Sequence, residues 1–162
     1  MIVVADTSVL INLALVGQDG LLIALFREVI VPRAVEREFA RLAASDGRFA
    51  GLRLPTWIEI REPQSVPAVI ARNTTLDAGE AEALALAVEI RADAVLIDET
   101  IGRAVALELG LTPISVFGIL VRAKRHGQLS AVASVVNELL TRARFRAAPE
   151  LVHEVLRLAG EA

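Results

Sequence analysis

The opening run Met1-Ile2-Val3-Val4-Ala5-Asp6-Thr7-Ser8 constrains the fold more than any other segment. Residues 2–5 are uninterruptedly apolar and too short for an independent helix, so they read as a buried strand. Strands buried on both faces belong to parallel sheets covered by helices. Asp6 falls where this strand leaves the sheet, and in open α/β sheets ligands bind at the carboxyl ends of the strands. The chain thus presents a carboxylate at a candidate active-site edge. An Asp ahead of a helix is also a common N-cap. Thr7 or Ser8 is expected to cap the following helix, which frees Asp6 for chemistry.

Strand-like and helix-like segments alternate along the whole chain. Strands are expected at residues 28–31, 57–61, 94–97 and 113–116. Helices are expected at residues 8–16, 21–26, 32–44, 78–91, 100–109, 118–125, 130–143 and 149–159. This alternation predicts a mainly parallel sheet with helices on both faces. Pro32 opens a helix at a position where its missing N–H costs nothing, and Gly17 and Gly110 close others. Residues 45–54, with Asp46-Gly47 and Ala50-Gly51, read as a loop, and residues 62–73, with two prolines, are the least regular stretch. A chain of 162 residues fits one domain, 1–162, with a C-terminal helical extension from about residue 118.

Composition excludes several classes. Hydrophobic content of 54% with 23% charged residues is that of a globular chain. Mean hydropathy is high, +0.54, yet no apolar run reaches the roughly 18 residues of a membrane span. The N-terminus has no basic region and does not read as a signal peptide. With no Cys, disulfides and thiolate metal sites are excluded, which fits a cytoplasmic protein. The Ala, Leu and Val surplus predicts a homodimer. Net charge is −3, so the chain as a whole is not a basic nucleic-acid binder. Residues 122–146 nevertheless carry six Arg and Lys against one acid, Glu138. They read either as a solvated helix surface or as a surface for phosphates or an acidic partner.

Three further acids are placed to converge with Asp6. Glu38 lies three residues after Val35, beside the apolar stripe Val35, Phe39 and Leu42. An acid there needs a partner, either a metal ion or an arginine. Glu80 has capping-box spacing from Asp77, but it shares a helix face with Leu84 and Ala87. Glu82 is the other candidate on that helix. Asp98 ends the run Ala94-Val95-Leu96-Ile97, repeating the opening pattern, with Glu99 adjoining it as a further ligand candidate. Packed carboxylates repel, so at neutral pH they take up protons or a cation. Oxygen-only ligands select Mg²⁺ or Mn²⁺, ions that serve phosphoryl chemistry. There is no Walker-type phosphate loop and no nucleophile elbow for a His-based triad.

Taken in order, these segments resemble PIN-domain proteins, and more narrowly their VapC-like branch. The resemblance is carried by Asp6-Thr7-Ser8 with Leu10-Ile11-Asn12-Leu13, by Val31-Pro32 with Val35 and Glu38, by Leu76-Asp77 with Gly79-Glu80-Ala81-Glu82-Ala83, and by Leu96-Ile97-Asp98-Glu99 with Gly102-Arg103. It implies a three-layer α/β/α sandwich and a metal-dependent ribonuclease, the toxin of a toxin–antitoxin pair. It implies a catalytic set of Asp6, Glu38, Glu80 and Asp98, with Asp6, Asp98, Glu80 and Glu99 as metal ligands. Thr7, Ser8 and Asn12 would support them. A small, separately encoded antitoxin would be the protein partner. On the charge distribution, the basic segment 122–146 would guide the RNA, with Arg122, Lys124 and Arg125 as contacts. A second reading is a PIN-like domain that binds RNA or a partner without cutting. A phosphohydrolase of the haloacid-dehalogenase type also begins with a strand ending in Asp, but it expects another Asp where Ser8 stands.

Overall fold

The computed structural model describes residues 1–45 and 47–162; Asp46, in the expected loop 45–54, lies outside the described residues. Five strands form one sheet: β1 (Ile2–Ala5), β2 (Glu28–Val31), β3 (Glu59–Ile60), β4 (Ala94–Leu96) and β5 (Pro113–Ile114). Their order is β3-β2-β1-β4-β5, and every pairing is parallel. Among the described residues nine α-helices surround it. They are α1 (Thr7–Leu15), α2 (Gly20–Leu25), α3 (Arg33–Ser45), α4 (Ala68–Ala71), α5 (Ala78–Glu89), α6 (Thr100–Glu108), α7 (Val116–Arg125), α8 (Val132–Thr141) and α9 (Pro149–Leu158).

The layers follow from strand alternation, which sends successive side chains to opposite faces. Val3, Ala5, Val29, Val31, Ala94 and Leu96 face one core, shared with α1, α2, α7 and α8. Val4, Ile30 and Val95 face the other, filled from α5 by Leu84, Leu86 and its alanines, and from α6 by Val105 and Ala106. This is a three-layer α/β/α sandwich. Among the described residues no helix is long and apolar enough to cross a membrane.

From β1 the chain runs outward to β2 and β3, then returns to place β4 on the other side of β1. The crevice beyond the carboxyl ends of β1 and β4 is therefore a topological switch point, where open α/β sheets bind ligands. Asp6 stands at this crevice. It also occupies the N-cap position of α1, one residue earlier than the sequence pattern suggests, but its side chain makes no capping bond.

Candidate active site

The Asp6 backbone is extended, with φ −87° and ψ 161°, and its N–H donates to the Leu96 carbonyl across the sheet at 2.9 Å. That bond points the side chain out of the sheet edge while leaving it only 3% exposed. The Ser8 hydroxyl donates to Asp6 Oδ2 at 3.3 Å, and Asp6 Oδ1 is buried with no hydrogen-bond partner among the described residues. Burial pushes the Asp6 carboxyl up to about 7. The Thr7 N–H opposes this, while the carboxylates of Asp77, Glu80 and Glu38 add to it.

Two helices bring further acids to the same place. On α3, Glu38 Oε2 accepts from the Thr7 hydroxyl at 3.1 Å. Burial raises the Glu38 carboxyl, as does Asp77; the Thr7 hydroxyl and Arg41 oppose. At the start of α5, Asp77 and Glu80 form the expected capping box. The Glu80 N–H donates to Asp77 Oδ1 at 2.8 Å, and the Asp77 N–H donates to Glu80 Oε2 at 2.9 Å. Glu80 is buried, and burial raises its carboxyl against the Asp77 N–H, with Asp77, Glu99 and Glu38 adding. Gly79 allows this approach. A Cβ there would lie 2.5 Å from Glu38 Oε2 and 3.5 Å from Asp6 Oδ1.

A cleft of about 640 Å³ gathers Asp6, Glu38, Asp77, Glu80 and Glu99, with Thr7, Ser8 and Asn12 on its wall. Arg48 and Arg144 lie on the same cleft. Asn12 Nδ2 donates to the Ser8 carbonyl at 2.8 Å, so it steadies the first turn of α1. Glu82 does not line the cleft. Asp77 was legible only as a cap, because nothing local reveals that its exposed side borders the cleft.

Asp98 stands apart from this group. Ala5 pairs with Leu96, so Asp6 lies level with Ile97 and Asp98 is one residue further along. One residue of register reverses the face a side chain takes. Asp98 therefore faces α7, where Oδ1 accepts from the Val116 N–H at 3.0 Å and Oδ2 is buried with no partner among the described residues. Burial pushes the Asp98 carboxyl up to about 6, opposed by the Val116 N–H and Arg103, with Glu99 adding. It lines two adjoining cavities, one of about 730 Å³ and one of about 440 Å³ that it shares with Ser8, Asn12 and Glu99. Of the two neighbouring acids, Glu99 is the one on the acidic cleft.

Arg122, Lys124 and Arg125 lie off the acidic cleft, and Arg125 lines the adjoining cavity of about 730 Å³. Arg122 lies over the Phe26 ring, 5.8 Å from its centroid, and contacts Met1 Sδ. Lys124 pairs with Glu161 at 2.9 Å. That pairing, with the N–H groups of Val132 and Ala133, takes the Glu161 carboxyl down to about 2. Arg125 reaches the Leu158 carbonyl at 3.5 Å. None of the three lines the acidic cleft.

The donor set suits a hard, hydrated cation. All candidate ligands are carboxylates, and among the described residues Asp6 Oδ1 has no hydrogen-bond partner. Among the described residues no three acids stand close enough to enclose an ion. Mg²⁺ is commonly held by one or two carboxylates, with waters and substrate phosphates completing its shell. No curated protein and no solved structure matches the chain. Residues 2–161 match the family DUF3368, described as a PIN domain, and PIN domains are generally nucleases. A parallel sheet with helices on both faces, and acids gathered at its switch point, agree with that match: the chain belongs to the PIN-domain family.

Proposed function

We propose that this protein is an Mg²⁺- or Mn²⁺-dependent endoribonuclease that hydrolyses RNA phosphodiester bonds. The observation that carries this reading is the buried Asp6 carboxylate, with one oxygen unpartnered, in a cleft with four other acids. In this reading Asp6 and Glu99 hold the cation, and Glu38 and Glu80 complete or support its shell. When bound, such an ion polarises a phosphoryl oxygen and lowers the pKa of water. Thr7 fixes the Glu38 carboxylate through its hydroxyl, and Ser8 fixes that of Asp6. Burial raises the Glu38 and Glu80 carboxyls, so each gives up its proton less readily than a free glutamate and is a candidate for proton transfer. Asp98 is a positioning residue: it ties the β4–α6 corner, from which Glu99 projects, to the start of α7.

The physiological role we propose is that of a VapC-like toxin, restrained by a small antitoxin chain packed over the acidic groove. A homodimer is also proposed. A second reading, RNA binding without cutting, is favoured by the capping box, which commits Asp77 Oδ1 and Glu80 Oε2 to backbone. Incubating the protein with a mixed RNA pool, with Mg²⁺, Mn²⁺ or chelator, separates the two. Metal-dependent fragments support the nuclease; metal-independent retention of intact RNA supports the alternative. Light scattering that reports a monomer at all concentrations would remove the dimer.

A further inference from the structure

The residues that follow α8 turn back over the acidic cleft. Arg144 lines both that cleft and a neighbouring cavity of about 440 Å³, which it shares with Arg146. Arg146 in turn lines the larger cavity beneath α9. The three spaces thus adjoin one another, with Arg144 and Arg146 on their shared walls beside Asp98 and Glu99, and Arg125 and Glu154 on the last. Both arginines are exposed, and among the described residues neither makes an ion pair or hydrogen bond. Their neighbours are held. Ala143 is buried, its carbonyl accepts from Arg48 at 3.4 Å, and the Phe145 ring lies 5.2 Å from that of Phe117.

Arg144 has a left-handed backbone, φ +53°, a conformation costly for any residue with a Cβ. Arg91 shares it, φ +52°, at the end of α5, so the conformation alone marks only a helix terminus. What distinguishes Arg144 is its place: an unpaired cation on the rim of a cleft that holds five carboxylates. Those carboxylates repel a phosphodiester. Cations along its path offset the repulsion and fix the strand.

We propose that Arg144 and Arg146 hold the phosphates of the RNA strand as it leaves the acidic cleft towards the α9 cavity. This rests on the nuclease reading above and assigns the substrate contacts to this segment rather than to Arg122 or Lys124. The test is binding of a labelled mixed-sequence oligoribonucleotide to Asp6→Asn protein in Mg²⁺ across a salt series. Arg144→Gly and Arg146→Ser are each expected to weaken binding about tenfold. Each should also reduce the slope of log affinity against log salt by about 0.7. Arg144→Gly should at the same time raise the melting temperature by about 2–4 °C, because the backbone strain goes. Arg91→Gly, at the opposite edge of the sheet, should give a similar thermal gain with RNA binding unchanged. Arg144→Gly binding as tightly as its parent, with an unchanged slope, overturns the assignment while leaving the nuclease reading standing. A parent protein with no affinity for RNA overturns that reading and this inference together.

Discussion

Replacing Asp6 by Asn is expected to stabilise the metal-free protein at neutral pH. The folded chain holds this carboxyl at about 7 against an ordinary value of 3.8. A gap of about three pH units corresponds to about 4 kcal/mol, at ~1.36 kcal/mol per unit. The folded state binds the proton more tightly than the unfolded state. Its stability is therefore fully present below about pH 4 and is lost as pH rises through about 7. Relaxation and water entry reduce the figure to roughly 2–4 kcal/mol. Asp98, pushed up to about 6, and the raised Glu38 and Glu80 give slopes of the same sign. The informative quantity is therefore the difference between wild type and Asp6→Asn. At ~3 °C per kcal/mol, thermal melts in chelator should favour the variant by about 6–12 °C at pH 8. At pH 4 the two should melt nearly together. Mg²⁺ at a hundred times its dissociation constant should add about 2.7 kcal/mol to the wild type, and less to the variant. Coincident melting curves at every pH in chelator would refute the claim that burial holds a proton on Asp6.

Three other outcomes are expected. Gly79→Ala places a methyl group 2.5 Å from Glu38 Oε2; RNA cleavage should fall about 10- to 100-fold. Urea unfolding should move by no more than ~1 kcal/mol, because the helix gains from Ala what the displaced Glu38 loses. Glu99→Gln should depress cleavage, whereas Asp98→Asn, which keeps an acceptor for the Val116 N–H, should retain most of it; the reverse ranking would assign the metal to Asp98. Leu96→Ala in the fully buried β4 strand should cost about 2–5 kcal/mol in urea unfolding, and a loss below ~1 kcal/mol would contradict the described core.

Much of the fold was legible because its signals are local. The apolar runs of β1 and β2 have the bounds their sequence predicts, residues 2–5 and 28–31. The Asp77–Glu80 capping box follows from spacing alone. What was not legible depends on register or on distant partners. Asp6 and Asp98 look equivalent in sequence because each ends an apolar run. The run before Asp98 extends one residue past the Ala5–Leu96 pair, and that residue turns Asp98 to the other side of the sheet. Arg122, Lys124 and Arg125 form the densest basic run, yet Phe26, Glu161 and the α9 carboxyl end engage them. Arg144 was one base among six until the chain folded it over the cleft.

The most direct test of the central claim is RNA cleavage by purified wild type and Asp6→Asn, each with Mg²⁺, Mn²⁺ and chelator. Fragments are expected from the wild type with either ion, none in chelator, and none from Asp6→Asn although its fold, followed by circular dichroism, is kept. Undiminished cleavage by the folded Asp6→Asn variant, or equal cleavage in chelator, would contradict the claim.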